Sequence, residues 1–218
     1  KRNGLKQKVS FDKIIDRLQN LSDDLNVNII SIAQKVIAQI YDNIKTSELD
    51  ELAAQICISL LSENLDYGKL ASRIIVSNNH KNTSPSFSEA MTLLYENYSD
   101  KKHKPLISKE TYDVIMKNKD KLNSIINYDR DFEFNYFAFK TLERAYLLRK
   151  NKKIIERIQH LFMRVSIGIH FNDISSVIKS YNHMSQKYFI HATPTLYQSG
   201  TKQNQLASCF LMGTEDSV

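Results

Sequence analysis

The chain has 218 residues, 42% of them hydrophobic, and a formal charge of +6 from 30 Lys and Arg against 24 Asp and Glu. That length supports one large domain or two small ones. No apolar run approaches the ~20 residues of a membrane span, residues 1–25 lack a secretory apolar stretch, and two distant cysteines, Cys57 and Cys209, make no disulfide framework. The basic residues are interleaved with acids rather than with aromatics, which predicts modest attraction to polyanions such as nucleotides and no nucleic-acid groove. A reducing setting, cytosolic or nuclear, fits these features; the cytoplasm is the expected location, with no membrane partner.

Few glycines and prolines predict long helices and few tight turns. At the amino end, Arg2-Asn3-Gly4 predicts a turn in a small hairpin over 1–9. Four helical stripes follow: Phe11, Ile14, Ile15, Leu18 and Leu21; Ile29, Ile32, Val36 and Ile40; Leu49, Leu52, Ala53, Ile56 and Leu60 behind a start signature at Ser47; and Tyr67, Leu70, Ala71 and Ile74. Cys57 lies inside the third stripe and reads as a small buried hydrophobe. The polar run from Asn78 to Pro85 breaks the pattern and marks a boundary.

Beyond it, Ser86 with Glu89 predicts a capped helix carrying Phe87, Met91, Leu94, Tyr95 and Tyr98. The basic run from Lys101 to Lys104 reads as a solvated loop before Pro105, and Ser108 is placed to cap a helix with Tyr112, Ile115 and Met116. Tyr146-Leu147-Leu148 and Ile154-Ile155 predict two short strands around a polar turn. Two strong helical faces follow, Ile158, Leu161, Phe162, Val165 and Ile169, then Ile174, Val177, Ile178, Tyr181 and Met184. Two strand-like pieces, 188–197 and 206–212, come last. A thiol such as Cys209 on a short apolar strand is able to deliver electrons or a hydrogen atom to a bound substrate. No histidine shows ligand spacing, so no metal site is expected.

Several stretches in order resemble one family. Lys1-Arg2-Asn3-Gly4, the run Val9 to Lys13 and the four helices resemble the ATP-cone, a nucleotide-sensing domain. The runs Tyr136 to Leu148 and Gln159 to His170 are similar to the helical region before the catalytic barrel of class I ribonucleotide reductase large subunits. His191 to Met212 resembles that barrel's first strands. The resemblance implies a mainly α chain: an ATP-cone over 1–82 (a small hairpin plus a four-helix unit), a helical region over 83–187, and the first strands of an incomplete ten-stranded α/β barrel over 188–218. It further implies a piece of an enzyme, inactive alone, because the radical cysteine, the second reducing cysteine and the tail cysteine pair would lie beyond Val218.

The resemblance also implies roles for residues. An allosteric ATP or dATP site would use Lys1, Arg2, Gln7, Lys8, Val9, Ser10, Phe11, Asp12, Lys13, Thr46, Asp50 and Lys81. A triphosphate needs cationic and amide donors, and a helix amino end supplies the latter. Without the resemblance, Asp50 reads as helix capping beside Ser47 and Lys81 as solvated surface. Cys209 would be the first reducing thiol, forming a disulfide with a cysteine outside this chain, and Thr193 and Ser208 would bind the substrate diphosphate or ribose. Asp216, Ser217 and Val218 would open the site of a deoxynucleoside triphosphate specificity effector. The implied partners are a metal-containing small subunit, further copies of the large subunit (a dimer, and higher oligomers with dATP), thioredoxin or glutaredoxin, and ribonucleoside diphosphates. The sequence departs from the family where Ile158 and Asn204 replace prolines, where Ala207 replaces a serine, and at Gln198-Ser199. A cone-based regulator without catalysis is the alternative; the Tyr136–His170 block and the Cys209 strand argue for the enzyme.

Overall fold

In the computed structural model, the described residues are 2, 4–99, 102–213 and 215–216. They form two compact units, residues 1–85 with 128–144, and residues 86–127 with 145–218.

The first unit is built on four helices, α1 (Phe11–Gln19), α2 (Ile29–Ile37), α3 (Thr46–Ser59) and α4 (Leu65–Asn82). Their apolar stripes meet in one core that includes Leu18, Ile32, Val36, Ile56, Cys57, Leu70 and Ile74. Asn28 caps α2 by accepting from the Ser31 amide at 3.0 Å, and Asn64 caps α4 by accepting from the Asp66 amide at 2.9 Å. Ser47 does not cap α3. The helix starts at Thr46, and the Glu48 carboxylate reaches back to the Lys45 amide at 3.1 Å. The polar run at 78–85 does not break α4 either: the helix continues to Asn82, with Asn78 and Asn79 buried.

The expected hairpin over 1–9 does not form among the described residues. Gly4 turns the chain with φ +81°, but the opening is held by the Arg2 side chain, not by a strand ladder. Later in sequence, a 3-10 helix (Tyr128–Glu133) and α8 (Tyr136–Ala145) return to this unit. Asp131, fully buried, pairs with His80 of α4 at 2.6 Å; Lys140 pairs with Glu51 of α3 at 3.0 Å; Tyr136 packs against the core.

The second unit centres on α9 (Ile158–His170), buried from Ile158 through Gly168. Ile158 is its first residue, a position where proline is also tolerated, so the replacement leaves the helix start intact. Packed on α9 are α10 (Ile174–Ser185), α6 (Lys109–Lys117) and α11 (Thr193–Gln198). The Gln159 side-chain oxygen accepts from both Tyr181 and Ser185, tying α10 to α9. α5 (Phe87–Tyr95) and α7 (Lys119–Ile125) complete the helices. Ser86 and Ser108 cap α5 and α6 as expected. Among the described residues, two antiparallel strand pairs are present, β1 (Tyr98–Ser99) with β2 (Lys102–His103), and β3 (Arg149–Lys150) with β4 (Lys153–Ile154). The second is the expected one, shifted toward its turn.

The strands expected over 188–197 and 206–212 are absent among the described residues, so no barrel strand is seen. Residues 193–198 are helical, and the segment's sheet-type contact is one bridge between Ile107 and Thr201. Pro194 accounts for the helix at 193–198: it cannot donate to a ladder, whereas its fixed φ suits the first turn of a helix.

Candidate functional site

The first unit holds a cavity of about 220 Å³. Its apolar wall comes from inward residues of the helices, Ile14 and Leu18 of α1, Val36, Leu49 and Ile74, with Val9 from the opening segment. Polar groups enter from three directions: Arg2, Gln7, Lys8 and Ser10 from the amino-terminal segment, Lys13 and Arg17 from α1, and Thr46, Asp50 and Lys81 from α3 and α4. A wider cleft of about 800 Å³ adjoins it, sharing Arg2, Gln7 and Lys8 and adding Lys6, Tyr41 and Lys45.

The electrostatics of the cavity are organised by Asp50. Its buried carboxylate accepts from Arg2 at 2.9 Å and from Arg17 at 3.2 Å. Arg2 also donates to Asn78 at 2.7 Å and to Asn82 at 3.0 Å, and Arg17 to Ser77 at 3.0 Å. Two arginines on one carboxylate leave positive charge in excess, and Lys81 adds to it. Burial, and then the neighbouring Arg17, hold the Lys81 ammonium below the ordinary lysine range; Arg2 adds to this and Asp50 opposes it. Thr46 contributes a buried hydroxyl oxygen with no protein partner. An unsatisfied buried hydroxyl and a partly desolvated cation are both costly, and an anionic ligand with hydrogen-bonding groups would satisfy them. The Ser10 side chain makes no capping bond at the start of α1.

Of the expected nucleotide-site residues, Arg2, Gln7, Lys8, Val9, Ser10, Lys13, Thr46, Asp50 and Lys81 line this cavity. Phe11 and Asp12 do not, and Phe11 is an exposed residue of α1. Lys1 lies outside the described residues, as do Ser217 and Val218; Asp216 is exposed. Sequence reasoning missed Arg17 and Asn78. The available signal for Arg17 was its place one helical turn after Lys13, on the side of α1 that also carries Ile14 and Leu18.

In the second unit, the Thr193 hydroxyl at the start of α11 lies 2.9 Å from the Tyr146 hydroxyl. Ser208, in a bend, and Cys209 are exposed on irregular chain, and Cys209 is a free thiol. Thr195 donates to the Leu206 carbonyl at 3.2 Å, which ties this chain to α11. The buried Nε2 of His191 has no protein partner; burial, and then the nearby His170, lower its affinity for a proton. Among the described residues, no group of three or more His, Cys, Asp or Glu is arranged to hold a metal ion, and no helix is long and apolar enough to cross a membrane.

Comparison with known proteins supplies the family. Residues 1–82 match the ATP cone domain, and residues 132–204 match the ribonucleotide reductase all-alpha domain. The chain is 52% identical over 224 residues to the ribonucleoside-diphosphate reductase large subunit of vaccinia virus, covering 100% of this chain and 29% of that protein. Identity is 51% over 224 residues to the large subunit of Caenorhabditis elegans, covering 28% of it, and 48% over 221 residues to large chain 2 of Saccharomyces cerevisiae, covering 25%. The chain thus spans less than a third of the length of the curated relatives it matches. With a nucleotide-sensing cone followed by the all-alpha domain, and similarity to the amino-terminal regions of those proteins throughout, the chain belongs to the ribonucleotide reductase large-subunit family.

Proposed function

We propose that this chain is the amino-terminal portion of a class I ribonucleoside-diphosphate reductase large subunit, cytoplasmic and under allosteric control by ATP and dATP. The observation that carries the regulatory part is the cavity that Thr46, Lys81 and an apolar wall line together. An ATP cone implies nucleotide effector binding. In this reading the base lies against the apolar wall, and the phosphates take Arg2, Lys8, Lys13 and Lys81, with Lys1 from outside the described residues. Residues 1–82 are the regulatory cone, 83–187 the helical region and 188–218 the approach to the catalytic barrel.

The catalytic part rests on Cys209, Thr193 and Ser208. Reduction replaces the 2′ hydroxyl of a ribonucleoside diphosphate by hydrogen. The hydroxyl leaves as water, and Cys209 with a second cysteine outside this chain supplies two electrons and ends as a disulfide. Thioredoxin or glutaredoxin then reduces that disulfide. Thr193 and Ser208 hold the substrate diphosphate or ribose. A separate metal-containing small subunit supplies the radical. Asp216, Ser217 and Val218 begin the site of a deoxynucleoside triphosphate that selects the base, and dATP in the cone drives large-subunit dimers into larger, inhibited assemblies. A non-catalytic cone regulator is disfavoured by the all-alpha match over 132–204.

Calorimetric titration of the chain with dATP and with ATP tests the regulatory reading. Saturable binding is expected, with Lys81→Ala weakening it about tenfold, as for one charge-assisted hydrogen bond. Absence of binding by a chain whose circular dichroism is intact would refute a working cone.

A further inference from the structure

Glu156 and Arg164 form an ion pair that is wholly buried in the second unit. Arg164 Nε donates to one carboxylate oxygen at 2.6 Å and Nη2 to the other at 3.2 Å. The guanidinium has donors left over, and they are spent on the backbone of the Thr193 segment. Nη1 donates to the Ser199 carbonyl at 2.7 Å, and Nη2 reaches the Leu196 carbonyl at 3.4 Å. These carbonyls belong to the end of α11, where a helix has acceptors without partners and favours a cation.

Further contacts hold 193–201 to α9 and to the start of α6. The Ser199 hydroxyl donates to the Val165 carbonyl of α9 at 3.0 Å, and the Ser108 amide donates to the Gly200 carbonyl at 3.1 Å. Gly168 of α9 has no side chain where the Gly200 backbone passes, and Gly200 itself takes φ +76°. At the opposite end of α11, Thr193 meets Tyr146. Through Thr195 and the Leu206 carbonyl, the same short helix restrains the chain two residues before Ser208.

A buried ion pair adds little to stability, since apolar residues of similar volume do as well or better. What arginine offers here, and an apolar pair does not, is a rigid fork of donors that fixes backbone acceptors in place. We propose that Arg164, oriented by Glu156, is a positioning residue for the substrate segment, holding α11 so that the Thr193 hydroxyl meets the substrate diphosphate. This rests on the substrate role proposed for Thr193. Lysine at position 164 keeps the charge beside Glu156 but cannot fork to both carbonyls.

The test uses the full-length large subunit assembled with its small subunit. KM and kcat for one ribonucleoside diphosphate are measured in wild type, Arg164→Lys, Thr193→Ala and the double variant, with the thermal unfolding midpoint by circular dichroism as the check on folding. Arg164→Lys is expected to raise KM about tenfold with a much smaller change in kcat. In the Thr193→Ala background that rise disappears, because the two residues act on the same contact. An unmoved KM in Arg164→Lys, while Thr193→Ala raises it, overturns the positioning role alone. Equal increments in both backgrounds also overturn it, leaving a structural pair. An unmoved KM in Thr193→Ala overturns the substrate reading, and the positioning role falls with it. If Arg164→Lys fails the folding check, the pair Glu156→Leu with Arg164→Met keeps the volume without an unpaired buried charge. It is expected to show the same rise in KM, and a wild-type KM in that variant overturns the proposal.

Discussion

Cys57 and Cys209 occupy opposite surroundings. Cys57 is buried in the α3 stripe, and desolvation pushes its thiol up to about 12, so no thiolate forms near neutrality. Cys209 is exposed and free. A thiol-reactive chromogenic reagent at pH 8 is therefore expected to modify one of the two cysteines in the folded chain and both in denaturant; two equivalents without denaturant would contradict the burial of Cys57. Lys81 yields a pH dependence of its own. Its folded-state value lies below the ordinary 10.5, so the fold disfavours its charged form, and stability rises with pH between the depressed value and 10.5. In the proposed nucleotide site the sign reverses, because a triphosphate bound at Lys81 would favour the ammonium. Affinity for dATP, followed by calorimetry across alkaline pH, is expected to fall as Lys81 loses its proton. Lys81→Arg flattens that fall, and an equal fall in the variant would assign it to another group. Arg2, Lys8, Lys13 and Lys81, which line the cavity, were named from the sequence with the help of the family resemblance. Arg17 was not, because a lone arginine in an amphipathic helix reads as solvent-facing until its partner Asp50 is known.

The elements were legible where the apolar period ran through two or more turns, as in α1, α4, α9 and α10. Cap positions were right where a serine accepts from the third amide onward, at Ser86 and Ser108, and wrong at Ser47, where the Glu48 carboxylate reaches back to the Lys45 amide instead. α11 was unreadable for a physical reason. It has six residues, too few for a period, and its last carbonyls are satisfied by Arg164 from a helix more than thirty positions earlier. The 3-10 helix at Tyr128–Glu133 likewise depends on a distant partner, with Asp131 paired to His80. The close approach of α9 to residues 199–200 is testable at Gly168. A methyl there would lie 2.6 Å from the Gly200 Cα and closer still to its nitrogen, with backbone that has no flexible end to yield. Gly168→Ala is expected to cost about 3 kcal/mol in urea unfolding; a loss below about 1 kcal/mol would mean that the two backbones part easily.

For the molecule as a whole, contiguity along the chain and contiguity in space differ. Residues 1–82 match one domain family, yet the unit they fold into also includes residues 128–144. Their attachments are Asp131 to His80, Lys140 to Glu51, and Tyr136 against the helical core. A chain of residues 1–85 alone is therefore expected to unfold at lower urea concentration than the same helices in the 218-residue chain, monitored by circular dichroism. Equal midpoints would show that the returning segment contributes nothing. Glu51 follows Asp50 in α3, and His80 precedes Lys81 in α4; neighbours in a helix point about 100° apart. Each helix thus turns one residue toward the cavity and its immediate neighbour toward the returning segment, like a partition shared by two rooms. Lys140 and Asp131 line no part of the cavity, but a change at either is a change to the far side of its wall.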